Sequence, residues 1–320
     1  MDNQKDIIFS DSGEVTNGIP HSKEIIYVGR NGNRIERVRL ELKAPITSYI
    51  YKPLTNYSSI GKEVWVQEHI SSRIPEVRVP QISYYSKSND PEHYWMVLED
   101  LGEVEHPFGV DVLLKTAELI PYWHRLPKEL VPDAFMGHSP LVNELQLFFE
   151  EKSAVMKPIL EKHGFTSDEL AYIYGDMLTL LPFESETVIS HGDLYPLNIA
   201  EIDHELIIFD WEYIHKNSVF WDLYSLMDIT SPQYRRPVLD QTSRIDVLTR
   251  YLTARQKLEF PTKLSFIRDY HTFSALYTLW LLVLIEGDLA HDKHDRSALL
   301  QQQQESIGIM KALLNYLMSV

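Results

Sequence analysis

The 320-residue sequence predicts an α+β fold of two lobes: a small β-rich lobe over residues 1–101 and a larger helical lobe over residues 102–320. Two observations carry this prediction. Runs rich in β-branched and aromatic residues, bounded by turn signals, fill the first hundred residues, as is typical of strands. After Gly102 the apolar residues recur at the three- and four-residue spacing of helices. A chain of this length also suits two domains or one two-lobed unit.

The elements of the first lobe follow from local signals. Asn31-Gly32 separates the runs KEIIYVGR and NRIERVRLEL, which is the pattern of a two-residue β-hairpin. A third strand is predicted over residues 46–52, and two more over 78–86 and 94–101. Between them, residues 58–72 have the spacing of a helix that begins at a serine cap, Ser58 or Ser59.

The second lobe is predicted to be helical over residues 110–126, 140–163, 167–181 and most of the chain after 220. Short strands interrupt this pattern in the stretch 188–213. The longest apolar run, residues 275–285, is too short to span a bilayer and is typical of a buried helix.

Composition excludes several classes of function. The net charge of -16 and the lack of a basic stripe in the sequence disfavour nucleic acid as a partner. The chain has no cysteine, which excludes disulfides, thiolate metal sites and a cysteine nucleophile. The start MDNQKDIIFSDSGEV is polar and acidic, unlike a signal peptide. We therefore expect a soluble, cytoplasmic protein without a membrane partner.

The stretch VISHGDLYPLNIAEIDHELIIFDWEY, residues 188–213, carries the chemistry. Asn198 follows Asp193 by five residues, and Asp210 comes after two short apolar runs that form a hairpin. Phosphoryl transfer needs a carboxylate to orient and deprotonate the attacking hydroxyl, and oxygen ligands for Mg²⁺. Each residue alone is more typical of a turn or cap. Together, in this order, they predict a phosphoryl-transfer site.

HGDLYPLN and FDWE resemble the HGDxxxxN motif and the second motif of the aminoglycoside phosphotransferase and choline kinase family of small-molecule kinases. The resemblance follows the lobe order of the whole chain and is sharp over about residues 188–228. It implies a protein-kinase-like fold and ATP- and Mg²⁺-dependent phosphorylation of a small-molecule hydroxyl, on an aminoglycoside-like or amino-alcohol acceptor, with GTP open in place of ATP. It implies that Asp193, Asn198 and Asp210 are catalytic, with Asp193 as the base and Asn198 and Asp210 as the metal ligands.

Three neighbouring residues complete the motif region. The same resemblance implies that His191 and Asp222 brace the loop rather than take part in the chemistry. Glu212 is open between a place in the metal site and simple solvation.

The first lobe should bind the nucleotide. The resemblance puts Lys52, at the end of SYIYK, at the family's phosphate-binding lysine, and its partner should be Glu63, with Glu68 as the alternative. The turn GRNGNR, with Gly32 at its tip, either caps phosphates with its amides or is an ordinary Asn-Gly turn. VLEDLG resembles the hinge that binds adenine, through the main chain of Glu99, Asp100 and Leu101.

The acceptor is the open question. Glu286, Asp288 and Asp292 either line a pocket for a cationic acceptor or form a solvated helix end. Choline or ethanolamine, homoserine, methylthioribose and sugars are all open as acceptors within the same family. The sequence does not indicate an oligomeric state.

Two functions of other classes compete with this prediction. One is a catalytically weak or inactive nucleotide-binding protein with a structural, coat-type role; the presence of both Asp193 and Asp210 disfavours it. The other is a metal-dependent hydrolase, which the absence of a paired histidine motif disfavours.

Overall fold

The computed structural model describes residues 8–16, 18–29, 31–41, 48–107, 109–234, 239–291 and 295–320. The chain forms two compact units. The first comprises Met1–His106 with Ile199–Tyr213, and the second comprises Pro107–Asn198 with Ile214–Val320. The first unit is β-rich and the second is mostly helical, which confirms the predicted fold class. The division at residue 101 stays a prediction; by packing, residues 199–213 belong to the first unit.

The strands are β1 (His21–Val28), β2 (Arg34–Leu40), β3 (Ser48–Pro53), β4 (Ile82–Tyr85), β5 (Trp95–Glu99), β6 (Thr187–Ser190), β7 (Ile199–Ile202), β8 (Glu205–Ile208) and β9 (His215–Ser218). The α-helices are α1 (Lys62–His69), α2 (Val110–His124), α3 (Leu145–Lys162), α4 (Ser167–Tyr172), α5 (Trp221–Met227), α6 (Gln241–Lys257), α7 (Phe266–Ala290) and α8 (Arg296–Leu317).

The first unit is built on an antiparallel sheet of order β1-β2-β3-β5-β4. The predicted Asn31-Gly32 turn joins β1 to β2, and Gly32 has a φ of 84°, a conformation that glycine adopts without strain. Of the strand predicted at 46–52, residues 46 and 47 lie outside the described residues. Alternate side chains of the strands point into a core with the N-terminal residues: Phe9, Val15, Val38, Leu40, Tyr49, Trp95 and Val97.

Helix α1 is shorter than the predicted 58–72. It begins after Gly61, whose φ of 75° lies in the left-handed region, so the prediction of a serine cap was wrong. Ser59 instead lies in a 3₁₀ turn, and its hydroxyl is used elsewhere. A second 3₁₀ turn, Ser71–Arg73, continues the helical stretch.

The hairpin β7–β8 packs with the first unit through main-chain contacts. Asp203 and His204, both with positive φ, form its turn. The Ile208 amide donates to the Arg78 carbonyl at 2.9 Å, and the Glu201 amide donates to the Glu105 carbonyl at 3.2 Å. These bonds hold the segment that ends at Asp210 in the first unit.

In the second unit, α7 packs against α8 and α3, α2 packs against α6, and β6 pairs with β9. Helix α7 contains the apolar run 275–285. Within the described part of the chain it is the one helix long and apolar enough to cross a bilayer, but 72% of its most apolar window is buried inside the protein. This agrees with the predicted buried helix.

Candidate active site

Lys52 is the centre of a charged group in the first unit. Lys52 lies on β3, and its Nζ is 2.8 Å from Glu63 Oε2 and 2.6 Å from Asp210 Oδ1. Glu63 is in the first turn of α1, whereas Glu68 accepts a hydrogen bond from the Tyr85 hydroxyl at 2.8 Å. Lys52 therefore pairs with Glu63, and Glu68 is occupied by another residue.

Asp210 ends the hairpin in a strained conformation. Its φ of 60° lies in the left-handed region, which non-glycine residues seldom adopt and which often marks functional sites. The Trp211 indole donates to the Ile208 carbonyl at 3.2 Å and fixes the turn from the next position. About a third of the Asp210 side chain, 35%, stays exposed although one oxygen binds Lys52.

Glu212 belongs to the same group, which the sequence left open. It is buried, and its Oε2 lies 2.9 Å from the Ser59 hydroxyl, which also donates to the Asn56 carbonyl at 2.6 Å. Burial, followed by the nearby charge of Asp210, raises the pKa of Glu212 to about 7. Ser59 is a residue of this site that sequence reasoning missed, because its only signal was that of a helix cap.

The charge of this group is not balanced. Burial would lower the pKa of Lys52, but Asp210 and Glu63 raise it, so the lysine is charged at neutral pH. Burial raises the pKa of Glu63 against the effect of Lys52. The buried Lys62, missed by sequence reasoning, is near enough to feel the charge of Glu212, while burial lowers its pKa. Three acidic side chains, Glu212 with its pKa of about 7 among them, therefore share two lysines.

The residues fit a divalent cation. Mg²⁺ favours oxygen ligands and keeps several waters, so it needs few protein atoms. The partly exposed Asp210 carboxylate offers such an oxygen, and a cation would offset the surplus acid. No group of three or more His, Asp or Glu side chains in the described ranges could hold a metal by itself. A metal here would need oxygens from water and a phosphorylated ligand.

The second unit holds the other predicted catalytic residues. Gly192, with a φ of 89°, turns the chain between β6 and Asp193. The Asn198 amide nitrogen donates to the Asp193 carbonyl at 2.8 Å and lies 3.3 Å from its Oδ2. The amide nitrogen of Asn198 is thus used within the loop, and its amide oxygen is the atom suited to a metal.

Asp222 holds this loop from α5. Its carboxylate accepts from the His191 amide at 3.0 Å, the Gly192 amide at 3.2 Å and the Ser190 hydroxyl at 2.6 Å. It also accepts from Trp123 Nε1 and His124 Nε2. Burial alone would raise the pKa of Asp222, but the bond from His124 and the other donors hold it well below its usual range. The His191 ring accepts from the Asp193 amide at 3.3 Å.

The predicted hinge is clamped by Arg37. Its Nε lies 2.8 Å from Asp100 Oδ2, and its guanidinium donates to the Gly102 carbonyl at 2.8 Å. The Asp100 side chain is buried, and Glu99 Oε1 accepts from the Gln81 amide. These side chains are therefore committed to the protein, and the Glu99 amide donates to the Gln81 carbonyl at 2.8 Å. Binding of adenine by the main chain of Glu99, Asp100 and Leu101 stays a prediction.

The predicted phosphate-capping turn is tied down as well. Asn31 and Asn33 both donate to the Leu54 carbonyl at 2.8 Å. The Gly32 amide donates to the Gly29 carbonyl at 2.9 Å, and Arg30 lies outside the described residues. Phosphate binding by Gly32 would require that last bond to open.

Of the acidic residues considered for a cationic acceptor, Glu286 is committed to contacts within the second unit. Glu286 accepts from Lys162 at 2.8 Å, from Gln303 at 2.8 Å and lies 2.7 Å from His163 Nε2. Asp292 lies outside the described residues. The charge of Glu286 is therefore balanced within the second unit.

Comparison with known proteins identifies the fold. No model of a known protein family matches the chain, and no curated protein matches it in sequence. The GDP complex of wild-type aminoglycoside 2'-phosphotransferase-IIIa is similar over 91% of this chain and 94% of that one, with 15% identity and a TM-score of 0.56. Macrolide 2'-phosphotransferase MphH from Brachybacterium faecium is similar over 87% of this chain and 91% of its own, with 13% identity and a TM-score of 0.53.

Choline kinase from Cryptosporidium parvum Iowa II covers 93% of this chain and 90% of its own, with 11% identity and a TM-score of 0.54. At these identities the likeness shows the fold, which is protein-kinase-like, as the motif resemblance implied.

Proposed function

We propose that the protein is a nucleotide- and Mg²⁺-dependent phosphotransferase that phosphorylates a hydroxyl of a small molecule. One observation carries the proposal: Lys52, Glu63 and Asp210 form a buried ion-pair group in which Asp210 is strained and partly exposed. A lysine held by a glutamate beside a metal-binding aspartate is the arrangement that protein kinases use to grip nucleotide phosphates.

In the proposed reaction the lysine would bind phosphate oxygens, and Asp210 and the amide oxygen of Asn198 would hold the metal. Bound Mg²⁺ would neutralise the charge that develops on the phosphate oxygens. Asp193 accepts a hydrogen bond from the acceptor hydroxyl, orients it and takes its proton. Most of the catalysis then comes from positioning and electrostatics.

The proposal is more specific for the nucleotide than for the acceptor. ATP is our first candidate, and GTP is the alternative, since solved structures with this fold include GDP complexes. The proposed acceptor is a small hydroxyl compound. We do not assign Glu286 to the binding of a cationic group on this acceptor, because Glu286 is already paired with Lys162 and His163. We place the enzyme in the cytoplasm, with α7 as a core helix.

A panel of hydroxylated amines, sugars, macrolides and amino alcohols tests the proposal. Each compound is assayed for stimulated ADP or GDP release with Mg²⁺, beside the thermal shift given by nucleotide with and without the metal. At least one acceptor should stimulate release, and nucleotide should raise the melting temperature only with Mg²⁺. Metal-dependent binding without turnover on any acceptor would favour the inactive nucleotide-binding alternative. The absence of both would contradict the proposal.

A further inference from the structure

A chain of polar side chains in the second unit runs from Asp222 to a partly exposed glutamate. His124, on α2, lies 3.1 Å from Asp222 through Nε2 and 2.9 Å from the Tyr251 hydroxyl through Nδ1. Arg255 NH1 donates to that hydroxyl at 3.2 Å, and Arg255 NH2 donates to Glu186 at 2.9 Å. Tyr251 and Arg255 are buried on α6, far from the motif in sequence.

The direction of each hydrogen bond follows from chemistry. The donors around Asp222 keep it ionised, so its oxygens only accept and His124 Nε2 must carry a hydrogen. Burial lowers the pKa of His124, so the ring is neutral at pH 7 and Nδ1 is bare. Tyr251, whose pKa burial raises, keeps its proton and donates it to Nδ1.

The hydrogen bonds between these side chains therefore all run in the same direction. Arg255 donates to Tyr251, Tyr251 donates to His124, and His124 donates to Asp222. Asp222 in turn accepts hydrogen bonds from the amides of His191 and Gly192, the two residues that precede Asp193.

We infer that Tyr251 is a positioning residue: its hydroxyl, fixed by Arg255, holds the Nε2–H imidazole of His124 in place and through Asp222 sets the loop that carries Asp193. This inference rests on the proposed function for its effect on turnover. Its structural content, the tautomer and the loop geometry, does not depend on activity.

The role of the hydroxyl can be separated from that of the ring. The Tyr251 ring stacks on Phe266 with centroids 5.5 Å apart, a contact that phenylalanine would keep. Tyr251→Phe removes the donor to His124 Nδ1 and, with it, the acceptor of Arg255 NH1. A buried acceptor left without its donor is costly, so the ring should shift from its position, while Nε2 keeps its hydrogen toward Asp222.

Tyr174→Phe is the matched control. Tyr174 lies in the same unit, and within the described ranges its buried hydroxyl has no hydrogen-bond partner. The substitution deletes the same atom without touching the chain from Arg255 to Asp222.

The experiment measures the side-chain nitrogen shifts of His124 and the amide shifts of His191 and Gly192 in wild type and in both variants. Wild type should show a neutral Nε2–H ring. Tyr251→Phe should disturb that signal and both amides, and Tyr174→Phe should leave all three unchanged. A protonated or Nδ1–H His124 in wild type would overturn the inference even if no variant folded.

Kinetics supply the second readout once an acceptor is known. Losing one buried hydrogen bond should lower kcat about tenfold in Tyr251→Phe, with the nucleotide KM unchanged. Wild-type kcat in this variant, or equal losses in both variants, would show that the hydroxyl only packs. If wild type has no turnover, the proposed function fails, while the nitrogen shifts still decide this inference.

Discussion

Each unit contains a group of acidic side chains, and the surroundings of the two groups have opposite effects on the pKa of the carboxyls. Asp222 in the second unit is fully buried and accepts hydrogen bonds from two amides, a hydroxyl, an indole and an imidazole. In the first unit Glu63, Asp210 and Glu212 share Lys52 and Lys62, and burial raises the pKa of both glutamates.

The number of donors and cations around a carboxylate distinguishes one that supports the structure from one that is a candidate ligand-binding group. A buried carboxylate with a full set of donors is stable as an anion and holds the chain around it. A group with more acidic side chains than cations is costly in the folded state and is stabilised by a further cation. By this criterion Asp222 supports the loop, and we propose the group around Asp210 as the place where a metal and nucleotide phosphates bind.

The largest expected effect is at the carboxylate assigned to proton transfer. Asp193→Asn should lower kcat by about 10²–10⁴-fold, because an amide cannot accept the proton of the acceptor hydroxyl. Nucleotide affinity with Mg²⁺ should stay near that of wild type. The measurement is product release beside calorimetry, and a parallel loss of nucleotide affinity would mean that Asp193 holds the metal instead.

The next effect tests the satisfied side of the comparison. Asp222→Asn should lower the free energy of unfolding by about 3 kcal/mol, because the amide group would face donors that now bind a carboxylate. Urea unfolding at pH 7 measures it. Asp168→Asn, in the first turn of α4, is the control and should change little; equal stability of Asp222→Asn and wild type would remove Asp222 as the brace.

The pH dependence of stability should carry the same signature. The folded-state pKa of Asp222 is depressed, so its contribution is complete above the unfolded pKa of about 4 and is lost as the pH falls below that value. Wild type should lose stability between about pH 5 and pH 2 more steeply than Asp222→Asn. Parallel curves from unfolding at each pH would contradict the depressed pKa.

Glu212 should behave in the opposite direction. Its folded pKa, raised to about 7, means that stability falls as the pH rises from the unfolded pKa through 7. Glu212→Gln should therefore stabilise the metal-free protein by about 2 kcal/mol at pH 8 and much less at pH 5. Unfolding at the two pH values checks this, and a destabilised variant at pH 8 would mean that the carboxylate is well paired.

The smallest effect is the coupling inside the ion-pair group. In a double-mutant cycle of Lys52→Ala and Glu63→Gln, nucleotide affinity should show a coupling of about 1 kcal/mol. Lys52→Ala with Glu68→Gln is the matched control, because Glu68 pairs with Tyr85, and it should be additive. Additivity in the first cycle and coupling in the second would move the partner to Glu68.

Much of the fold was readable from local pattern. Asn31-Gly32 fixed the first hairpin, and apolar spacing predicted α2 and α3 within a few residues. Spacing shows that only one of the two glutamates can point toward Lys52, because at 100° per residue Glu68 lies well around the helix from Glu63. Which of them does so depends on packing.

The remainder depends on contacts that no local pattern encodes. Ser59 meets Glu212 across 153 positions of sequence, and His124 meets Tyr251 across 127. The assignment of residues 199–213 to the first unit likewise depends on pairing with Arg78 and Glu105. A serine before a helix predicts a cap, and only the packed chain shows that its hydroxyl serves a buried acid.

Calorimetry of nucleotide binding to wild type and Asp210→Asn, each with and without Mg²⁺, tests the central claim most directly. If the surplus acid of the first unit is a metal–phosphate site, wild type should bind nucleotide tightly only with Mg²⁺, and Asp210→Asn should lose most of that metal dependence. If Asp210→Asn binds nucleotide as wild type does, with the same response to Mg²⁺, the strained aspartate is not a metal ligand and the claim is wrong.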